Sequence, residues 1–253
     1  MRIQQIRNAT VKIEMGGMTF LTDPWLQDQG CGFSAPSVRP EMEGVKSPLV
    51  GLPESPESIL RGVDALLVTH VHPDHVTMDY LPLDLPVIAQ SEEDAKKLRQ
   101  MGFLHVSFFA EDTLAFGPVR MTRTEAIHGD NPEVAEMMGK ASGFVLEAEG
   151  EKTLCLAGDT VYFDGVRETI ERFHPGVIIL NCCGATIPNG RLIMNEKEVG
   201  LVCKDAPDAV VIASHLDTVN HATISRADVR SYVQAQGFSN VLVPEDGEEM
   251  RFS

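Results

Sequence analysis

Thr69-His70-Val71-His72-Pro73-Asp74-His75 comes directly after the apolar run Ala65-Leu66-Leu67-Val68, so a buried strand ends by delivering three imidazoles and a carboxylate into one turn. Imidazole and carboxylate are donors that zinc, manganese and iron accept. His70 and His72 stand two apart, and in an extended turn their side chains point the same way. Pro73 then redirects the chain, so that Asp74 and His75 address a neighbouring point. A lone histidine is usually a core or surface residue; four donors at this spacing mark a metal site.

The pattern His-x-His-x-Asp-His resembles the signature of the metallo-β-lactamase-fold superfamily of hydrolases. A two-metal member of that superfamily needs a third histidine, a bridging aspartate and a last histidine, each at a strand end. This chain has candidates in that order: His128 after Val119–Ile127, Asp159 after Leu154-Cys155-Leu156-Ala157-Gly158, and His215 after Ala209–Ser214. The resemblance assigns His70, His72 and His128 to one metal and Asp74, His75 and His215 to the other, with Asp159 bridging them. It implies two divalent cations, zinc first and manganese as the alternative, that polarise a shared water for attack on a carbonyl or phosphoryl centre. It also implies an α/β (α+β) fold, a four-layer αββα sandwich with the site at the shared edge of its two halves. The motifs span residues 10–221, so a single domain over residues 1–253 is expected.

Composition narrows the partners. With 37 acidic against 21 basic residues and no basic run, the chain lacks the cations that hold a nucleic-acid backbone, which leaves a small-molecule substrate. No apolar run approaches the roughly 20 residues of a membrane span. The N-terminus alternates like a strand without an apolar leader, and five cysteines with no Cys-x-x-Cys read as reduced, mostly buried thiols. Both features point to the cytoplasm. A homo-oligomer is compatible with this composition.

Thr10–Met15 and Met18–Thr22 flank Gly16-Gly17 and read as a hairpin. Residues 27–58, with several Pro, Gly and Ser, are expected to be an insertion reaching over the metal cleft, the alternative being a surface wrap far from the site. Beyond the metal turn, Val87–Ala89 is a short strand, and Ser91 caps a helix that Gly102 closes. His105–Phe109, Thr113–Phe116 and Val119–Ile127 follow as strands, and Asn131–Lys140 reads as a second irregular stretch. Ser142–Ala148 with Lys152–Leu156 forms a hairpin, Val166–Phe173 a helix and Val177–Leu180 a buried strand. Asn195 and Ser225 cap two more helices, and Val241–Val243 and Glu249–Phe252 finish as strands.

Arg7-Asn8-Ala9-Thr10-Val11-Lys12-Ile13-Glu14, Gly62-Val63-Asp64-Ala65 and Val219-Asn220-His221-Ala222 are similar to a bacterial subgroup. That subgroup is related to ascorbate-6-phosphate lactonase and N-acyl-phosphatidylethanolamine phospholipase D. Its sequences often have Gly-His-Ala-Thr where this chain has Asn8-Ala9-Thr10, a departure outside the seven metal positions. The expected activity is hydrolysis of a small ester, lactone or phosphodiester, with Asp74 and His221 as candidate catalytic residues. Asp23 fits either a carboxylate standing behind a ligand imidazole or a turn-forming Asp before Pro24, and Asn181 should face the cleft. Cys182 and Cys183 read as structural thiols, and Arg39, Lys46 and Arg191 as candidate anion contacts or simply solvated cations. His72 separates the pattern from flavodiiron oxygen reductases, which carry glutamate there. A mononuclear-iron sulfur dioxygenase on the same fold is the alternative. A non-catalytic metal-binding protein is the third reading, weakened by the intact donor set.

Overall fold

The computed structural model describes residues 1–253 and contains two seven-stranded sheets. The first runs β1 (Arg2–Arg7), β2 (Thr10–Met15), β3 (Met18–Thr22), β4 (Ala65–Val68), β5 (Val87–Ala89) and β6 (Val106–Phe108), with the last strand of the chain at its other edge. The second begins with β7 (Thr113–Phe116), β8 (Val119–Glu125), β9 (Ser142–Glu147), β10 (Leu154–Leu156) and β11 (Val177–Asn181). After a separate ribbon, β12 (Thr186–Ile187) and β13 (Gly190–Arg191), it is completed by β14 (Val210–Ser214) and β15 (Val241–Leu242). β16 (Glu249–Arg251) crosses back to pair with β1. The helices are α1 (Pro56–Leu60), α2 (Glu92–Met101), α3 (Pro132–Met138), α4 (Asp164–Phe173), α5 (Glu196–Asp205) and α6 (Arg226–Gln236).

Strand alternation sorts these elements into layers. Ala65 and Leu67 of β4 turn inward and meet Phe144, Val177 and Ile179 of the second sheet. Leu66 and Val68 turn outward and pack with Ile59 of α1 and with Ala95 and Leu98 of α2. In β11, Ile178 and Leu180 face Val166 and Ile170 of α4 and Val199 and Val202 of α5. These cores are the three seams of a four-layer αββα sandwich, the expected fold. Strands such as Val177–Asn181 are apolar on both faces because both neighbouring seams are dry. No helix is long and apolar enough to cross a membrane.

One expected element is corrected. Asn131–Lys140 is not irregular: α3 occupies most of it. The Asn131 side chain accepts from the Val134 N–H, and Pro132 takes the first helical turn, where its missing N–H costs nothing. Asn-Pro is a helix start here rather than a break. Residues 27–58 are mostly irregular, with one 3-10 turn at Pro40–Met42 and the start of α1. Arg7 anchors the base of this strap. Its buried guanidinium donates to the carbonyls of Val50 (3.1 Å), Trp25 (2.9 Å) and Gln27 (2.8 Å) and lies 5.3 Å from the Trp25 ring. Burial lowers its pKa to about 10, so it stays charged at neutral pH.

Candidate metal centre

The seven donors converge at the carboxyl ends of strands from both sheets, where α/β sheets open their clefts. His70, His72, Asp74 and His75 lie on the turn after β4, His128 after β8, Asp159 after β10 and His215 after β14. Gly158, at φ +68°, delivers Asp159; a side chain there would run into the Ser142 carbonyl. Three non-glycine residues at the site also hold left-handed backbone: Asn8 (φ 56°), Asp23 (φ 41°) and His215 (φ 62°). Such conformations are strained and persist only where the surroundings impose them.

Three overlapping groups have donor atoms within 4.8 Å of one another: His70/His72/His128, His70/His75/Asp159 and Asp74/His75/His215. Asp159 stands between the other two groups, its Oδ2 3.2 Å from His75 Nε2 and 3.5 Å from His128 Nε2. Asp74 Oδ2 is 3.3 Å from His215 Nε2. All seven residues are buried except His72, which is half-buried.

The outward ring nitrogens show that this donor set fits cations. His72 Nε2 donates to the Met138 carbonyl at 2.9 Å, and His128 Nδ1 to the Leu192 carbonyl at 3.0 Å. His75 Nδ1 lies 3.0 Å from Asp23 Oδ2. Thr69 donates its hydroxyl hydrogen to Asp23, so its oxygen accepts from His70 Nδ1 at 3.1 Å. His215 Nδ1 faces the Cys183 thiol at 3.5 Å. Outward partners of this kind fix the tautomer of the neutral ring, whose inward nitrogen is then the lone pair a cation takes. His70 Nε2 and His72 Nδ1 then oppose each other at 2.9 Å, an arrangement that a shared cation relieves.

Charge follows the same division. Burial, with His75 and His72 nearby, holds His70 well below the ordinary imidazole range, and burial lowers His128 to about 4. Burial also opposes charge on His75, but Asp159 and Asp23 outweigh it and raise its pKa to about 10. His215 is raised against burial by Cys183, Asp159 and Asp74. Burial works against ionised Asp74 and Asp159, yet the imidazoles around them win, and both lie below the usual carboxylate range.

Asp23 stands where a supporting carboxylate was expected, and it also accepts from the Thr69 N–H at 2.8 Å. Asp23→Ala should lower metal affinity by about 10- to 100-fold, the usual scale for losing the group behind a ligand imidazole. Competition with a chromophoric chelator measures it; unchanged affinity would deny Asp23 this role. Asn181 donates to Asp159 Oδ1 at 2.7 Å and thereby aims the carboxylate.

Two residues at the site were not legible as such in the sequence. Asn8 lies 3.2 Å from His215 Nε2 and donates to the Asp74 carbonyl at 3.0 Å. Its only signal was the departure from Gly-His-Ala-Thr. Cys183, read as a structural thiol, is buried and touches His215. Arg191 pairs with Glu198 and Arg39 with Glu41, and neither they nor Lys46 reaches the cleft.

Above the donors lies a cavity of about 280 Å³. Its walls are Phe33, Ala35 and Pro36 from the strap, Met137 and Met138 from α3, and Ile187 and Leu192 around the ribbon. Pro73, Ala185, Asp74, Asp159 and four histidines, His221 among them, complete it, and no Lys or Arg lines it. His221 packs edge-on to Phe33, 6.1 Å between ring centroids, and its buried Nδ1 has no hydrogen-bond partner. Burial lowers its pKa, so the ring is neutral at neutral pH.

Comparison with known proteins extends the geometry. Residues 19–216 match the family model described as the beta-lactamase superfamily domain. The chain is 38% identical over 258 residues to UPF0173 protein YddR of Bacillus subtilis, covering 100% of each. It is 30% identical over 199 residues to a UPF0173 metal-dependent hydrolase of Methanospirillum hungatei, covering 77% of this chain and 84% of the relative. Among solved structures, the isothiocyanate hydrolase from Delia radicum gut bacteria superposes with a TM-score of 0.93 at 32% identity, covering 100% of this chain and 99% of that one. A "possible metal-dependent hydrolase" from Veillonella parvula gives a TM-score of 0.92 at 35% identity, covering 98% of both chains.

Proposed function

The chain belongs to the beta-lactamase superfamily, and from that premise we propose a metal-dependent hydrolase of small uncharged electrophiles with an apolar tail, isothiocyanates first among them. The observation that carries this reading is the cavity: donors on the floor, apolar walls, and no cationic side chain. An anionic group held away from the metals, such as the phosphate of a phosphorylated lactone, would find no basic partner there. The likeness to an isothiocyanate hydrolase supports the same substrate class.

His70, His72 and His128 would hold one cation and Asp74, His75 and His215 the other, with Asp159 offsetting their mutual repulsion. Two zinc ions there, or manganese, would lower the pKa of water towards 7 and make hydroxide available at neutral pH. The apolar walls seat the tail and exclude bulk water from the carbon under attack. In R–N=C=S + H₂O → R–NH₂ + COS, a C–O bond forms, the C–N bond breaks, and nitrogen takes both hydrogens of water. His221 lines the cavity with a neutral imidazole and would take a proton from the attacking water and pass it to that nitrogen. The five free cysteines support a reducing compartment, and a cytoplasmic location belongs to the same proposal.

Metal-loaded protein should release amine from an isothiocyanate in preference to opening a lactone or cleaving a phosphodiester or thioester. His221→Ala should keep its metals and lose about 100-fold in kcat, the scale of a general acid–base group. Turnover of the phosphodiester without the isothiocyanate would overturn the substrate class. No metal-dependent turnover of any compound would overturn the hydrolase reading.

A further inference from the structure

We propose that Asn220 sets substrate selectivity by pinning the roof of the cavity, an inference that rests on the hydrolase reading above. Asn220 is fully buried in the turn beyond β14, next to His221. Its side-chain amide donates to the carbonyls of Ala35 (2.7 Å) and Met42 (3.2 Å) and to Ser34 Oγ (3.3 Å). Its Oδ1 accepts from the Ala35 N–H (3.1 Å) and the Ser47 hydroxyl (3.4 Å). Its backbone N–H donates to Ser47 Oγ at 3.0 Å, and its carbonyl accepts from Ser37 Oγ at 3.3 Å.

Three further contacts tie the strap down: Arg39 donates to the Ala222 carbonyl (3.3 Å), the Leu49 N–H donates to the Thr218 carbonyl (2.7 Å), and Phe33 packs against Trp25; most of the hydrogen bonds to the turn beyond β14 nevertheless go through Asn220. None of residues 34–46 is buried, so apolar packing does not fix their position. Their regular structure is a single 3-10 turn. Arg7 secures only the base of the strap, through residues 25, 27 and 50. Yet Phe33, Ala35 and Pro36 are the strap's contribution to the cavity wall. A primary amide at position 220 offers two donor hydrogens and an acceptor oxygen, a set that carboxylate, hydroxyl or methyl does not have. Asn220 and His221 thus join the roof to the proton-handling wall through one peptide bond. Losing the amide should loosen the roof while the donors below stay in place: six are carried by other turns, and His215, on the same turn as Asn220, is held by its own N–H to the Asn8 carbonyl at 3.1 Å.

Asn220→Ala and the milder Ser47→Ala are compared with the wild type using methyl, butyl and 2-phenylethyl isothiocyanate, with metal content measured for each. For Asn220→Ala, KM should rise about tenfold for the two longer tails and little for methyl, with kcat nearly unchanged, the pattern of binding lost equally in ground state and transition state. Amide hydrogen exchange over residues 33–47 should accelerate with metal content unchanged, and Ser47→Ala should show both effects more weakly. Equal losses for all three tails together with metal loss would overturn the proposal and make Asn220 a support of the donors. Unchanged exchange and tail dependence in both variants, or in Ser47→Ala alone should Asn220→Ala not fold, would also overturn it. A wild type that turns over none of these compounds would refute the hydrolase reading instead, and the exchange measurement would still decide whether Asn220 pins the strap.

Discussion

Asp159→Ala is expected to lower kcat/KM by about a thousandfold or more, at least the scale of removing a group that stabilises developing charge. Asp159 Oδ2 faces His75 at 3.2 Å and His128 at 3.5 Å, so a single carboxylate serves both donor groups. Without it, two cations a few ångströms apart lose the negative charge between them, and Asn181 loses its acceptor. The second cation should bind weakly or not at all. His72→Ala should be similarly damaging, because it removes a nitrogen facing His70 at 2.9 Å. Both variants should keep the fold, since neither residue belongs to the three apolar cores. Metal analysis with circular dichroism is the check. Two bound metals and normal turnover in Asp159→Ala would refute the bridge.

Acid and chelation should be equivalent ways of switching the protein off. A cation binds only deprotonated imidazole. In chelated protein His75 keeps its proton up to about pH 10 and His215 is also raised, whereas His128 loses its proton above about 4 and His70 lies below the ordinary range. The sign follows directly: a cation entering Asp74, His75 and His215 must displace protons at neutral pH, so its affinity rises with pH and falls with acid. A cation at His70 and His128 meets little such competition until far lower pH. Zinc titration in buffers of different protonation enthalpy should therefore show about two protons released with one equivalent and fewer with the other. Equal release would contradict this asymmetry. Activity should collapse in acid, vanish on chelation and return with zinc or manganese. Activity that survives chelation with metal loss confirmed would remove the metal-dependent reading.

The legible parts of this protein were those written in short-range pattern. Ala65–Val68 followed by His-x-His-x-Asp-His is local: strand alternation and one turn bring those donors together wherever the strand lies. The caps at Ser91, Asn195 and Ser225 were equally local, because each side chain accepts from a backbone N–H two or three residues on. His128, Asp159 and His215 could be placed because each follows a stretch legible as a strand, and strands running the same way in one sheet end at a common edge. α3 was missed because its seven residues bury only Val134, too little for a helical period to show.

Beyond Asp23, Asn181 and the strap, tertiary structure alone decided what stands behind and above the donors. Asn8 meets His215 across 207 residues of sequence, and Asn220 meets Ala35 across 185. Neither pairing has a spacing rule, because each depends on how the sheets close and where an irregular strap comes to rest. The same holds for Cys183 behind His215 and for the Met138 and Leu192 carbonyls that set the tautomers of His72 and His128. A donor's identity is a property of its side chain and its strand. Its tautomer, its charge and the shape of the cavity over it depend on burial and on partners brought from distant sequence, and those exist only once the chain has folded.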